Sequence, residues 1–145
     1  MGTYTQGAQT NGSTPGAARD VGYNVLAKVV DIQAGGAASA DFTTYLPDGA
    51  ELIDVILDSV TAHTSATATV AVGTTVGGTE LASATDVKTT ARTRPTFTAA
   101  QLTQAQAIPH TSGQPDTPIY LRLALTTPTS VGLTKAILVY APKLN

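Results

Sequence analysis

The chain contains no cysteine and no tryptophan, and a single methionine. Without cysteine, disulfides and thiolate metal sites are excluded. Charge is also scarce: Asp, Glu, Lys and Arg together make 12% of the residues, about half the common share of roughly 25%. The eight Lys and Arg are scattered from Arg19 to Lys143. No basic stripe is available for a phosphate backbone, so no nucleic-acid partner is expected. No apolar run approaches the roughly 18 residues of a spanning helix, so no membrane partner is expected either. The opening MGTYTQGAQTNGS lacks a basic and then an apolar region, so no signal peptide is expected. Gly2 begins a myristoylation pattern, but Gln6 stands where a hydroxyl is needed.

What is present is threonine, alanine, glycine and branched aliphatics, with 42% of residues hydrophobic. That is too apolar for a disordered chain. The periodicity is two, not 3.6. Ile53, Val55 and Leu57 alternate with Asp54, Ile56 and Asp58; Ile119, Leu121, Leu123 and Leu125 alternate with Tyr120, Arg122 and Ala124. Residues 1–20 are small and polar and read as an extended N-terminal arm; residues 21–145 read as one β-sandwich domain. Strands are expected over 23–32, 41–46, two long runs between 51 and 73, a short run near 79–87, and over 96–98, 119–125 and 131–140. The two long runs read as the central strand pair, with 61–69 as its tip. Pro47-Asp48-Gly49 is a turn: proline presets φ and glycine takes the position needing φ > 0. Only 99–107 has helix propensity, for a turn or two before Pro109. About eight strands with almost no helix predict an all-β, single-domain antiparallel sandwich. A jelly roll leads; an immunoglobulin-like sandwich is the alternative, weakened by the missing Cys and Trp. The expected core is Val25, Val29, Phe42, Ile53, Val55, Leu57, Val70, Val72, Leu121, Leu123, Leu125 and Ile137.

No pattern carries catalysis. Gly73 and Gly78 have phosphate-loop spacing, but Thr79 stands at the lysine position and no helix follows, so a β-turn or bulge is expected. His63 and His110 are the only histidines and lack ligand spacing, so no metal is expected. Asp54 and Asp58 on one strand face are separated by roughly 13 Å at the usual rise, wide for a glycosidase pair. With Glu51 they read as solvated or partner-facing charges. Asn11-Gly12-Ser13 is a formal glycosylation sequon. No nucleophile-elbow sequence exists. The expectation is a protein that is not an enzyme and takes no cofactor. Tyr4, Tyr45 and Tyr120 are the candidate exposed rings for a sugar, the reading from a different class.

The runs ATATVAVGTTVGGTELASATDV, PIYLRLALT and KAILVYAP, within residues 20–142, resemble small all-β structural proteins of tailed bacteriophages. In particular the chain is similar to capsid cement, or decoration, proteins with a jelly-roll fold. The resemblance implies a homo-oligomer, dimer or trimer, on the outside of a capsid in the virion, made in the host cytoplasm. Its partner would be the major capsid protein, whose subunits it would bridge to stabilise the shell. A tail, neck or fibre-associated component is the alternative within the same class. In this reading the Thr61–Thr69 tip and the Gly73–Thr79 turn are surfaces left for a neighbour.

Overall fold

The computed structural model describes residues 25–106, 108 and 116–142. The expected arm, with Tyr4, Asn11 and Ser13, lies outside the described residues, as does His110. Along the chain come β1 (Leu26–Gln33), β2 (Ser39–Pro47), β3 (Glu51–Thr61), β4 (Ala68–Gly73), β5 (Ala82–Asp86) and β6 (Ala91–Thr93). The helix α1 (Ala99–Gln106), β7 (Asp116–Leu125) and β8 (Leu133–Ala141) follow. Sheet I has the strand order β1-β8-β3-β6, and sheet II the order β2-β7-β4-β5. Every pairing is antiparallel. The chain changes sheet at almost every connection, and this interleaving of two four-stranded sheets is a jelly roll.

The inner faces interdigitate as one apolar core. β7 shows the alternation most cleanly: Thr117, Ile119, Leu121, Leu123 and Leu125 are buried, and the residues between them are half-buried. Val55, Leu57, Ala136 and Leu138 face them from sheet I; Leu46, Val70 and Val72 come from sheet II. Each fully buried aliphatic of this kind contributes about 1.5–3 kcal/mol relative to exposure. The turn after β2 forms as its sequence requires, with Gly49 at φ 73° and the Ala50 amide donating to the Pro47 carbonyl at 3.0 Å. Helix α1 starts with a capping box. Thr98 Oγ1 accepts from the Gln101 amide at 3.2 Å, and Gln101 Oε1 accepts from the Thr98 amide at 2.9 Å.

Three expectations are corrected. The two long runs are not a pair: β3 pairs with β8 and β6, whereas β4 pairs with β7 and β5. The segment between them crosses from one sheet to the other. Parity is wrong at Val25, Val29 and Ile137. Val25 and Val29 are 53% and 55% exposed, and Ile137 is half-buried on the outer face, while Ile32, Ala136 and Leu138 point inward. Ile53 is 45% exposed because a β-bulge sits between Leu52 and Asp54, so Leu52 takes its place in the core. Lastly, 96–98 is not a strand. The edge strand is β6, just before the buried Pro95, and Phe97 packs half-buried against the core.

Candidate interaction faces

The outer face of sheet II is built from β2, β7 and β4. Asp41 stands opposite Arg122, which stands opposite Ala71. The guanidinium Nε donates to Asp41 Oδ1 at 2.8 Å, and Nη2 donates to Oδ2, a bidentate pair. The hydrogen bond from Arg122 holds the Asp41 carboxyl below its ordinary value, against the opposing effect of burial. The same bond raises Arg122. Gly77, at φ 74°, lies over this guanidinium; a Cβ there would come within 2.7 Å of it. Toward the other end, Tyr45 pairs with Pro118 and Thr43 with Tyr120. Tyr45 is 52% exposed and Tyr120 half-buried, so these two tyrosines share the face as diagonal neighbours.

The Gly73–Thr79 turn does hold an anion, and the anion is the chain's own Glu80. Its Oε1 accepts from the Thr74 amide at 2.8 Å, the Thr75 amide at 3.3 Å and the Thr74 hydroxyl at 3.4 Å; Oε2 accepts from the Thr75 hydroxyl at 3.1 Å. Burial pushes the Glu80 carboxyl up, but the hydrogen bonds from Thr74 and Thr75 outweigh it, and the net displacement is downward. Gly73 and Gly78 have no room for a Cβ, because Glu80 and the turn's backbone fill the space. Gln101 Nε2 ties this turn to α1, donating to the Thr79 carbonyl at 2.8 Å and to Ser83 Oγ at 2.9 Å. The turn is therefore closed on itself and covers the β4 side of sheet II, where Ala71 and Gly73 are buried.

The Thr-rich connection between β3 and β4 is likewise committed. Thr64 bonds Thr129 at 2.6 Å, Thr67 bonds Thr126, and Ser65 Oγ accepts from the Thr127 amide at 2.9 Å. His63 is 2% exposed at this crossing. Its Nε2 bonds Thr134 Oγ1 at 3.0 Å, and the nearby Ser59 hydroxyl donates to the Val87 carbonyl at 2.9 Å. Its Nδ1 has no partner among the described residues. Burial pushes the imidazole below its ordinary value. Gly132, at φ 136°, is required here because any side chain would collide with this ring. Both segments are braced by their own chain, yet Thr61, Ala62, Thr64, Ala66 and Thr67 of the first and Thr75, Val76 and Thr79 of the second remain exposed.

The outer face of sheet I differs. One row crosses all four strands: Asp31 opposite Lys135, Lys135 opposite Asp58, and Asp58 opposite Arg92. Lys135 Nζ bonds Asp31 at 2.7 Å and Arg92 Nη2 bonds Asp58 at 2.9 Å. The adjacent row is apolar, with Val29 opposite Ile137 and Ile137 opposite Ile56. Beyond it Ala27 stands opposite Val139, and Val139 opposite Asp54, whose carboxylate takes Arg94 Nε at 2.7 Å. Asp54 and Asp58 are thus ion-paired within the chain, not merely solvated. Arg92, Arg94, Lys135 and Asp31 did not stand out as site residues by sequence. The signal was a charged residue on the outward parity of each strand, which acquires meaning only once the strands are aligned. Among the described residues, no three His, Cys, Asp or Glu side chains gather as a metal site. No described helix is long and apolar enough to cross a membrane.

No protein-family model and no curated protein matches the sequence. The fold does have a match. The chain is similar to a chain in the capsid of Ralstonia phage GP4, with a TM-score of 0.56 and 21% sequence identity. The likeness covers 84% of this chain and 86% of that one. At that identity the shared property is the jelly-roll sandwich itself.

Proposed function

We propose that the chain is a non-enzymatic structural protein of a bacteriophage virion, a cement protein seated on the outside of the capsid. In this reading it bridges neighbouring major capsid protein subunits and acts as a homo-oligomer. The observation that carries the proposal is the fold likeness to a phage capsid chain across more than four-fifths of both chains. Two features support it. The turn that looked like a phosphate loop is filled by Glu80, so it offers no ligand site. The outer face of sheet I presents an apolar row beside ion pairs, a composition suited to another protein surface. A bridging protein can hold several neighbours through modest contacts and gain by multivalency.

The test is addition of purified protein to expanded empty shells of its phage. Saturation at a fixed ratio to major capsid protein, with raised resistance of the shells to heat, is the expected result. Copurification with isolated tails and no uptake by shells would replace this reading with the tail or neck one.

A further inference from the structure

The outer face of sheet I carries a pattern that is complementary to itself when reversed. Across β1, β8, β3 and β6, the row Asp31, Lys135, Asp58, Arg92 reads minus, plus, minus, plus. Read from the other end it is plus, minus, plus, minus. We propose that this face is a two-fold interface between two copies of the chain, packed sheet on sheet. A two-fold axis parallel to the strands, passing between β8 and β3, reverses the row over itself. Arg92 of the second copy then lies over Asp31, and Asp58 of the second copy over Lys135. The same operation lays Ile137 on the second copy's Ile56, and Ile56 on its Ile137, at the centre of the contact. Val139 falls over the second copy's Asp54, which its own Arg94 holds, and the ion pairs border the Ile56–Ile137 centre, which is the core-and-rim anatomy of an interface. A contact of this kind is isologous and closes at two subunits.

Charge complementarity selects the occupant. A coat subunit or residues 1–24 of the same chain would need an independently matched pattern, whereas a second copy carries the reversed row by symmetry. Because Lys135 already holds Asp31 and Arg92 already holds Asp58, no unpaired charge is buried on docking. Each carboxylate gains a second cation instead. The proposal deepens the homo-oligomer part of the shell reading but does not depend on shell attachment. A dimer that ignores shells sinks that reading and leaves this one standing.

Sedimentation equilibrium of the full chain at micromolar concentration reads the dimer directly, with circular dichroism confirming that each variant is folded. The wild type is expected to dimerise. Ile56→Lys, a change on the outer face, should lower the association constant by more than about tenfold. Arg92→Asp should lower it by about tenfold, and adding Asp31→Arg to that variant should restore it to within about threefold. The double variant puts a cation beside Lys135 and a carboxylate beside Asp58, so a row serving only its own chain predicts further loss, not rescue. Absence of rescue overturns the proposal. So does a wild-type chain that stays monomeric, whether a coat subunit or residues 1–24 take the face.

Discussion

The two outer faces of this sandwich are finished differently. Over β4, sheet II is closed by its own chain: the Gly73–Thr79 turn lies over the strand, Glu80 fills the turn, and Gly77 sits against Arg122, while Asp41, Thr43 and Tyr45 of β2 stay exposed. Sheet I keeps an exposed apolar row beside a row of ion pairs. The outward positions differ in kind: sheet I carries Val29, Ile56, Ile137 and Val139 beside its charges, whereas sheet II carries Asp41, Thr43, Tyr45, Tyr120 and Arg122. The connections differ as well. The β4–β5 connection is a glycine turn long enough to fold back, and the connections of sheet I send the chain to the opposite sheet.

This contrast can be broken or sharpened by substitution. The largest effect is expected where the closed face has no space. Gly73→Val should cost about 3 kcal/mol by overpacking against Gly78 and Glu80, whereas Val29→Thr on the open face should stay within about 0.5 kcal/mol. Urea denaturation of both variants measures the pair; equal losses would mean that sheet II is not closed as described. Next, Glu80→Ala strands the amides of Thr74 and Thr75 and should cost about 1–2 kcal/mol. The exposed pair lost in Asp31→Asn should cost under about 1 kcal/mol. Thermal melts should order the two in that sense.

The smallest effect is a pH dependence at the crossing between the sheets. Burial lowers His63 from its ordinary value of 6.5. Below that pH the unfolded chain takes up a proton that the folded chain resists, so stability is full above it and falls as the pH drops toward the lowered folded value. Asp41 and Glu80 are also lowered, from carboxylate values of 3.8 and 4.5, so their contributions are lost only at more acid pH. A melt series from pH 7 to 5 therefore isolates the histidine. The slope should flatten in His63→Gln; a slope that persists there would assign it to another group.

Some of these features were legible in the residues and some were not. The inward set of β7 follows directly from Ile119, Leu121, Leu123 and Leu125, because every residue between them is polar, aromatic or small. Around β1, Val29 and the preceding Val25 compete with Leu26, Val30 and Ile32, and both parities are apolar. Lys135 shares the parity of Ile137 and marks the outer face of β8, but in β1 Asp31 shares the parity of Val29 while Lys28 shares that of Val30 and Ile32, so charge leaves that strand ambiguous. The bulge at Ile53 has no such marker. The capping box at Thr98 and Gln101 was in plain sight as a Thr-x-x-Gln pattern. The filling of the glycine turn was not, because Glu80 lies outside the motif that drew attention to Gly73 and Gly78.

Local chemistry alone determined the all-β class, the Pro47–Gly49 turn, the short helix and the alternation of the strands. These depend on steric and hydrogen-bonding preferences within a few residues of each other. Which strands pair was decided by the tertiary structure. β3 and β4 are neighbours in sequence but belong to different sheets, because burying both apolar faces in one core needs partners from the far end of the chain. The same assembly created the row Asp31, Lys135, Asp58, Arg92, four residues spread over 104 positions that no sequence window contains. Side-chain alternation is a property of each strand, whereas a surface pattern across a sheet exists only after the register is set.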